Sequence, residues 1–308
     1  MTIFLRKNMR NKGMHRFLEG LTIDSRYKIV FVGDIRETQK YELEFAIFAG
    51  FLPEEVVANY SVKNKYYVFC SPLGQADLSS GESQATMVSS EIAILYNLNY
   101  FIGKGEIKNC ICSSEYLAEK YGFIYLPPVK LGNEAYVSFN KDRSKYGFLG
   151  NNLRKHRNIA NQLCAISMIT PKEDIVVSHV KPYDLYSELF DFTFEVKSNL
   201  SNEDYYKEIG SHKLGFVCSF SESFSYQALE YAFMGVPCIV GANVSWYPIG
   251  QLIVPNVDSF IDIKDTAETC LRPELYWNYS EELYTWAGKF NENQKEKLLK
   301  VIEDKLEK

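Results

Sequence analysis

Two carboxylates eight positions apart, Glu222 and Glu230, stand in the stretch GFVCSFSESFSYQALEYAFMGVPCIVG, residues 215–241. The stretch reads as a buried strand (Phe216 to Phe220), a short polar turn, a helix and a second apolar strand. With Glu222 closing the turn and Glu230 inside the helix, the carboxylates are set roughly 11–12 Å apart along the axis, about two helical turns. Both can then address one elongated ligand. Ser223, Phe224 and Ser225 add hydroxyls and backbone N–H groups at the positive end of the helix, where an anionic group is favoured. A second charged cluster, Arg154-Lys155-His156-Arg157, opens a helix that carries Ile159 through Met168. Positive charge is disfavoured at a helix N-terminus, so this cluster fits a bound anion better than a bare helix start.

In this order, strand, Glu-x7-Glu, apolar helix, Met-Gly-Val-Pro (234–237) and strand resemble the donor-site signature of the GT-B glycosyltransferases. The likeness is greatest to the large family of retaining enzymes that use nucleotide sugars; it is strong over about residues 145–245 and only architectural over 27–128. It implies an α/β fold of GT-B architecture, two Rossmann-like domains with a cleft between them. The expected divisions are an acceptor-side domain at 1–130, a nucleotide-sugar-binding domain at 131–280, and a C-terminal helix at 281–308 that could cross back to the first domain. The implied reaction moves a sugar from a nucleoside-diphosphate sugar, UDP being the first expectation, to a hydroxyl, with retention and without metal or cofactor.

The family roles fall on this chain residue by residue. Glu222 would contact the sugar and Glu230 the ribose hydroxyls. A strand ending at Gly150 and the basic pair Arg154 and Lys155 would hold the diphosphate. A diphosphate gathers negative charge as the glycosidic bond breaks, so fixed cations there stabilise the transition state. Arg154 can do this bidentately and Lys155 as a point charge. Ser223, Phe224 and Ser225 would hold phosphate through the turn and helix start. The leaving phosphate would accept the incoming proton. The chain departs from the family in lacking a Gly-Gly loop near its N-terminus, so the resemblance assigns neither an acceptor site nor a general base.

The elements that must position these residues follow from the apolar runs. Tyr27–Gly33 reads as the first strand of a parallel sheet, 37–51 carries apolar residues at helical spacing, and Lys65–Cys70 is a second strand. The Pro-, Gly- and Ser-containing loop after it, 71–81, leaves the end of a strand, where α/β domains bind ligands. Asp77, Ser79 and Ser80 are therefore candidate acceptor or catalytic residues, the other reading being a plain surface loop. A helix is expected from Glu82 to about Tyr96, a strand at Ile107–Cys112 with Cys110 and Cys112 on one face, and a helix from Ser113. Further strands are expected at 174–178 and 192–196, with helices at 183–190 and 203–209. The aromatic loop Val244–Pro248 lines the donor pocket or packs against the core.

Composition narrows the classes. No run of about 18 apolar residues suggests a membrane span, and the first residues show no secretory h-region. Seven scattered cysteines without a CxxC pair read as free thiols of a cytoplasmic protein. The four histidines have no metal-ligand spacing, and there is no nucleophile elbow, Walker loop or GxGxxG. A net charge of −5 argues against a uniformly basic nucleic-acid surface. Yet Arg6, Lys7, Arg10, Lys12 and Arg16 all precede the first acidic residue, Glu19. This basic arm could touch phosphates or an anionic membrane, or be a solvated terminus. Frequent Tyr, Asn and Lys suit an AT-rich genome such as that of a virus. The segment Gly-Asn-Asn-Leu-Arg-Lys-His-Arg-Asn is similar to phage-type glycosyltransferases, some of which decorate hydroxymethylated pyrimidines in phage DNA. Such DNA, in the host cytoplasm, is the expected acceptor. The alternatives are a surface-glycan or lipid-linked acceptor, or a catalytically silent nucleotide-sugar binder. The sequence is silent on oligomeric state.

Overall fold

The computed structural model describes residues 1–10, 13–70, 83–132, 135–148, 157–169, 175–178, 189–190, 193–197, 200–222 and 224–306. They divide into two compact units, one holding the described residues up to 131 and from 291 onward, the other those of 132–290.

The first unit is built on β1 (Thr2–Arg6), β2 (Lys28–Val32), β3 (Leu43–Ala49), β4 (Val62–Val68), β5 (Asn109–Cys112) and β6 (Ile124–Tyr125), with helices α1 (Gly13–Glu19), α2 (Pro53–Val57), α3 (Ser83–Gly103) and α4 (Glu115–Tyr121). The strands form one parallel sheet in the order β2-β1-β3-β4-β5-β6. Alternate residues enter two separate cores. Ile3, Leu5, Ile47 and Ala49 face one; Phe4, Ala46, Phe48, Cys110 and Cys112 face the other. The two cysteines thus share a face, as their spacing requires. Ser114 caps α4, and Gly122 ends it at φ 69°.

Two expectations for this unit are corrected. The first strand is Thr2–Arg6, not 27–33, and it lies inside the sheet, with Ile3 opposite Ile29 and Phe4 opposite Phe48. The start of the basic segment is therefore not a loose arm. Nor do residues 37–51 form a helix. Asp34 and Glu37 make a capping box, but it opens only a 3-10 segment, Ile35–Lys40, and the chain then becomes β3. A strand buried on both faces is apolar at nearly every position, so its sequence carries no period to separate it from a helix.

The second unit contains β7 (Lys145–Phe148), β8 (Ile175–Ser178), β9 (Thr193–Val196), β10 (His212–Val217), β11 (Cys238–Gly241) and β12 (Ile253–Val254), with α5 (Ile159–Ile169), α6 (Asn202–Gly210), α7 (Tyr226–Phe233) and α8 (Phe260–Cys270). A long helix, α9 (Pro273–Val301), follows. All strand pairings are parallel, in the order β12-β11-β10-β7-β8-β9. The chain thus winds outward from β7 in one direction, then returns to wind outward from β10 in the other.

The Met-Gly-Val-Pro signature has a local explanation. Gly235 ends the helical run at φ 63°, where a side chain is strained and where a Cβ would also stand 2.7 Å from the Phe139 ring. Arg143 closes the same helix end. Its guanidinium donates to the carbonyls of Gly235 (2.8 Å) and Met234 (3.1 Å) and to the Ser280 hydroxyl (2.9 Å).

A buried polar group pins the amino-terminal ends of β7 and β10. Tyr231 of α7 lies across Gly147 and Gly215, where a Cβ would come within 2.0 and 2.6 Å of it. Its hydroxyl meets His212 Nδ1 at 2.9 Å, and His212 Nε2 faces Glu208 at 3.4 Å. Lys145 reaches Glu195 at 2.7 Å and Glu208 at 3.4 Å. The His212 hydrogen bond holds the Glu208 carboxyl down at about 2, with Lys145 assisting and burial opposing. A depressed carboxyl contributes stability above its ordinary value and loses it as pH falls through the folded one. Glu208→Gln should therefore lower the Tm by several degrees at pH 7, with the gap to the parent closing from about pH 4.5 down to about 2. Thermal melts across that range read it directly; a gap that does not narrow in acid would remove the assignment.

Candidate functional site

In an open parallel sheet, ligands bind outside the carboxyl ends of the strands, at the point where the winding reverses. In the second unit that point lies between β7 and β10. The chain leaving β10 passes through Cys218 and Ser219 to Glu222, and then to Ser225, which caps α7 by accepting from the Ala228 N–H at 3.2 Å. Ser225 is buried and its oxygen is engaged in this cap. Glu222 therefore sits just before a capped helix start, at the reversal point.

Its side chain is only 9% exposed, and Nη1 of Arg157 donates to Oε1. Burial pushes the Glu222 carboxyl above the ordinary range, against the opposing pull of Arg157 and the Ser219 hydroxyl. An arginine at this position is thus the charge partner of the first carboxylate.

Two buried amides hold the pair in register. Asn158 follows Arg157 directly, with φ 55°, a left-handed conformation that asparagine tolerates better than most side chains. Its Nδ2 donates to the carbonyls of Cys218 (3.0 Å) and Val257. Gln162, one turn along α5, accepts from the Cys218 N–H at 3.0 Å and donates to the Arg157 carbonyl at 2.7 Å. The residues entering α5 are tied in this way to the residue leaving β10. Asn243 adds a bond to the Ser219 carbonyl at 3.2 Å, and a Cβ at Gly241 would meet Asn243 at 2.8 Å.

Glu230 occupies the middle of α7 and is fully buried among Ala228, Leu229, Tyr231 and Ala232. The Tyr205 hydroxyl of α6 donates to its Oε2 at 2.8 Å. Buried carboxylates are costly unless hydrogen-bonded or paired, so Glu230 is a conspicuous group in an otherwise apolar helix. Phe224 stacks on Trp246 with centroids 4.8 Å apart. Trp246 in turn stacks on Phe290 at 5.4 Å and Trp286 at 6.0 Å. The aromatic loop therefore packs between the turn after β10 and the middle of α9.

Of the residues singled out in the sequence, Glu222, Phe224 and Ser225 lie at the entrance to α7, and Glu230 lies within it. Gly150, Arg154, Lys155 and Ser223, together with Asp77, Ser79 and Ser80, lie outside the described residues. The sequence reading passed over Arg157 in favour of its neighbours, and did not single out Asn158, Gln162 or Asn243. The available signal was a glutamine set among Ile159, Leu163 and Ile166, a polar residue at a core position of α5. Among the described residues, no group of three or more His, Cys, Asp or Glu could hold a metal ion.

No protein-family model matches the chain, and no curated protein matches its sequence. Solved structures match its fold over nearly its whole length. WaaG, a glycosyltransferase involved in lipopolysaccharide biosynthesis, superposes with a TM-score of 0.67 at 11% identity, covering 97% of this chain and 99% of its own. Sucrose-phosphate synthase from Thermosynechococcus elongatus gives 0.64 at 12% identity, with 98% and 94% covered. An alpha-glucosyltransferase in complex with UDP-glucose and DNA containing an abasic site gives 0.61 at 9% identity, with 93% and 94% covered. The fold is GT-B. Its two Rossmann-like domains correspond in kind to the two parallel sheets described above.

Removing Arg157 would strand the buried Glu222 charge. Arg157→Met should destabilise the protein at neutral pH by up to about 3 kcal/mol, the low end of the scale for a buried pair broken on one side, because Arg157 is partly exposed. The loss should shrink as pH falls, because Glu222 then takes up a proton. Adding Glu222→Gln should recover most of it. Urea unfolding at pH 7.5 and 5.0 for the double-mutant cycle measures the coupling; additive effects at both values would mean that the pair contributes nothing.

Proposed function

We propose that this chain is a retaining glycosyltransferase that moves a sugar from a nucleoside-diphosphate sugar, UDP-linked in the first instance, to the hydroxyl of a 5-hydroxymethylated pyrimidine in DNA. The observation that carries the reading is the part-buried Glu222–Arg157 pair at the β7/β10 reversal point, where an α/β sheet binds ligands. In this reading Glu222 holds the sugar and Glu230 the ribose hydroxyls, with Tyr205 giving way to the nucleotide. Gly150 and the backbone of Ser223, Phe224 and Ser225 border the phosphates. Arg154 and Lys155 neutralise the departing diphosphate, and Arg157 adds a third cation beside Glu222.

The bond between the anomeric carbon and the diphosphate oxygen breaks as the acceptor oxygen attacks that carbon from the same side. The acceptor proton passes to the leaving phosphate. The charge that develops is met by cations already in place, and no metal is required by this scheme. The DNA acceptor is supported by the likeness to the glucosyltransferase bound to UDP-glucose and DNA. Asp77, Ser79 and Ser80 are the acceptor-side candidates of the first domain, taken as 1–130, with 131–280 holding the donor. A phage-encoded enzyme of the host cytoplasm would meet such DNA directly.

A lipid-linked acceptor is the second reading. It is favoured by Ile92, Tyr96 and Tyr100, set four residues apart on α3 and 62, 72 and 53% exposed. An aromatic stripe of this kind suits a membrane interface, and WaaG acts in lipopolysaccharide biosynthesis. Among the described residues no helix is long and apolar enough to cross a membrane.

The deciding experiment incubates the protein with a panel of nucleotide sugars and DNA containing 5-hydroxymethylcytosine, then weighs the nucleosides. A hexose or pentose mass on that base is the expected result. Glu222→Gln should reduce turnover at least 100-fold while free nucleotide still binds, and Glu230→Gln should weaken nucleotide binding itself. Donor hydrolysis without DNA modification would redirect the search to lipid-linked glycans. An intact donor would leave a catalytically silent nucleotide-sugar binder.

A further inference from the structure

We infer that Lys7 and Arg10, exposed cations at the carboxyl end of β1, hold backbone phosphates of a nucleic-acid strand. This adds the side chains that would hold the acceptor of the proposed transferase and rests on that reading for the use made of the strand; the binding itself does not.

The first unit has its own reversal point. Its strand order puts β2 on one side of β1 and β3 on the other, so the winding changes direction between β1 and β3, and the crevice outside their carboxyl ends is where a ligand fits. Lys7 and Arg10 leave β1 at that edge, and Gly50 and Phe51 leave β3 beside them. The backbone there is tightly packed. Gly50 has φ 82°, and a Cβ on it would lie 3.0 Å from the Met9 side chain and 3.2 Å from that of Arg6. The cations are thus mounted on a rigid base.

Their neighbour Arg6 is already committed. It pairs with Glu55 at 3.3 Å, donates to the Gly50 carbonyl at 3.4 Å and lies over the Phe51 ring. Lys7 and Arg10 are different. Both are exposed, and neither has a carboxylate partner among the described residues. The Arg10 guanidinium rests on the Phe31 ring, 5.1 Å from its centroid. A guanidinium stacked on a ring keeps its in-plane N–H groups free to meet oxygen acceptors.

These cations are exposed rather than drawn into an enclosed pocket, which decides the kind of anion. A lone small phosphate gains little from screened surface charges. A polyanion gains from each one, because every phosphate neutralised releases condensed counterions. The sequence continues the run through Lys12 and Arg16, with no acidic residue before Glu19.

The test is fluorescence anisotropy with a labelled duplex containing 5-hydroxymethylcytosine, titrated at several salt concentrations between 50 and 200 mM (~ the range over which phosphate contacts are resolved). The Lys7→Ala/Arg10→Ala variant should bind about ten-fold more weakly, and its log–log salt dependence should be shallower by about 2. Arg10→Lys should keep most of the slope. Lys28→Ala removes an exposed cation at the start of β2, opposite Thr2 at the amino end of the same sheet, and should bind as the parent does. Equal affinity and slope in the double variant would overturn the inference, as would an equal loss in Lys28→Ala. So would weakened binding to phosphatidylglycerol vesicles with DNA binding unchanged, which would make the edge a membrane contact. Donor hydrolysis without acceptor should be untouched by the double variant. If the parent hydrolyses no donor yet binds DNA as described, the transferase reading falls and this one stands.

Discussion

The carboxylate at position 222 is where it is because two side-chain amides fasten the entrance of α5 to the exit of β10. Asn158 and Gln162 between them saturate both the N–H and the carbonyl of Cys218. That backbone would otherwise leave the sheet with its hydrogen-bonding groups buried and unmet, at a cost of about 1–3 kcal/mol each. The same amides bring Arg157 against Glu222. One polar network thus solves a problem of backbone satisfaction and one of charge placement. A loop held only by apolar packing would leave the carboxylate free to turn towards water and lose its raised affinity for a proton.

The two sheets solve the placement of their loops alike. Each is parallel, buried on both faces, and reverses its winding once, beside β10 in one and beside β1 in the other. Reversal parts the two adjoining crossovers to opposite faces and leaves an uncovered notch at the carboxyl edge. Side chains of particular chemistry gather at these notches: a part-buried ion pair in one, exposed cations in the other. The difference in exposure suits different tasks. A reacting bond needs charges withdrawn from solvent, where they act at low dielectric, whereas a long polymer needs charges that stay in it.

Much of the second unit was legible because its signals are local. Gly235 must end α7, Ser225 must cap it, and the apolar run through β11 is bounded by Pro237 and Gly241. Glu222 and Glu230 stand out as carboxylates in apolar surroundings. The first unit was harder to read. Thr2–Arg6 is short and runs straight into Lys7 and Arg10, so charge masked an interior strand. The β3 stretch, buried on both faces, carries no alternation to set it apart from a helix. The clamp was hidden for a different reason. Asn158, Gln162 and Asn243 gain their meaning from backbone groups 24 to 99 positions away in the chain, and no local pattern encodes such a partner.

The aromatic column beside the site has a practical consequence. Of the three tryptophans in the chain, Trp246 and Trp286 stack with each other and with Phe290, and Trp246 rests on Phe224, two residues beyond Glu222. Trp277 is set elsewhere in the same unit, against Phe139 and Tyr276. Two of the protein's three indole fluorophores therefore share a single stack with the turn that carries the carboxylate. A change in that turn alters ring overlap at Trp246, and with it the emission of the native chain, so the molecule carries an optical gauge of its own loop without any label attached.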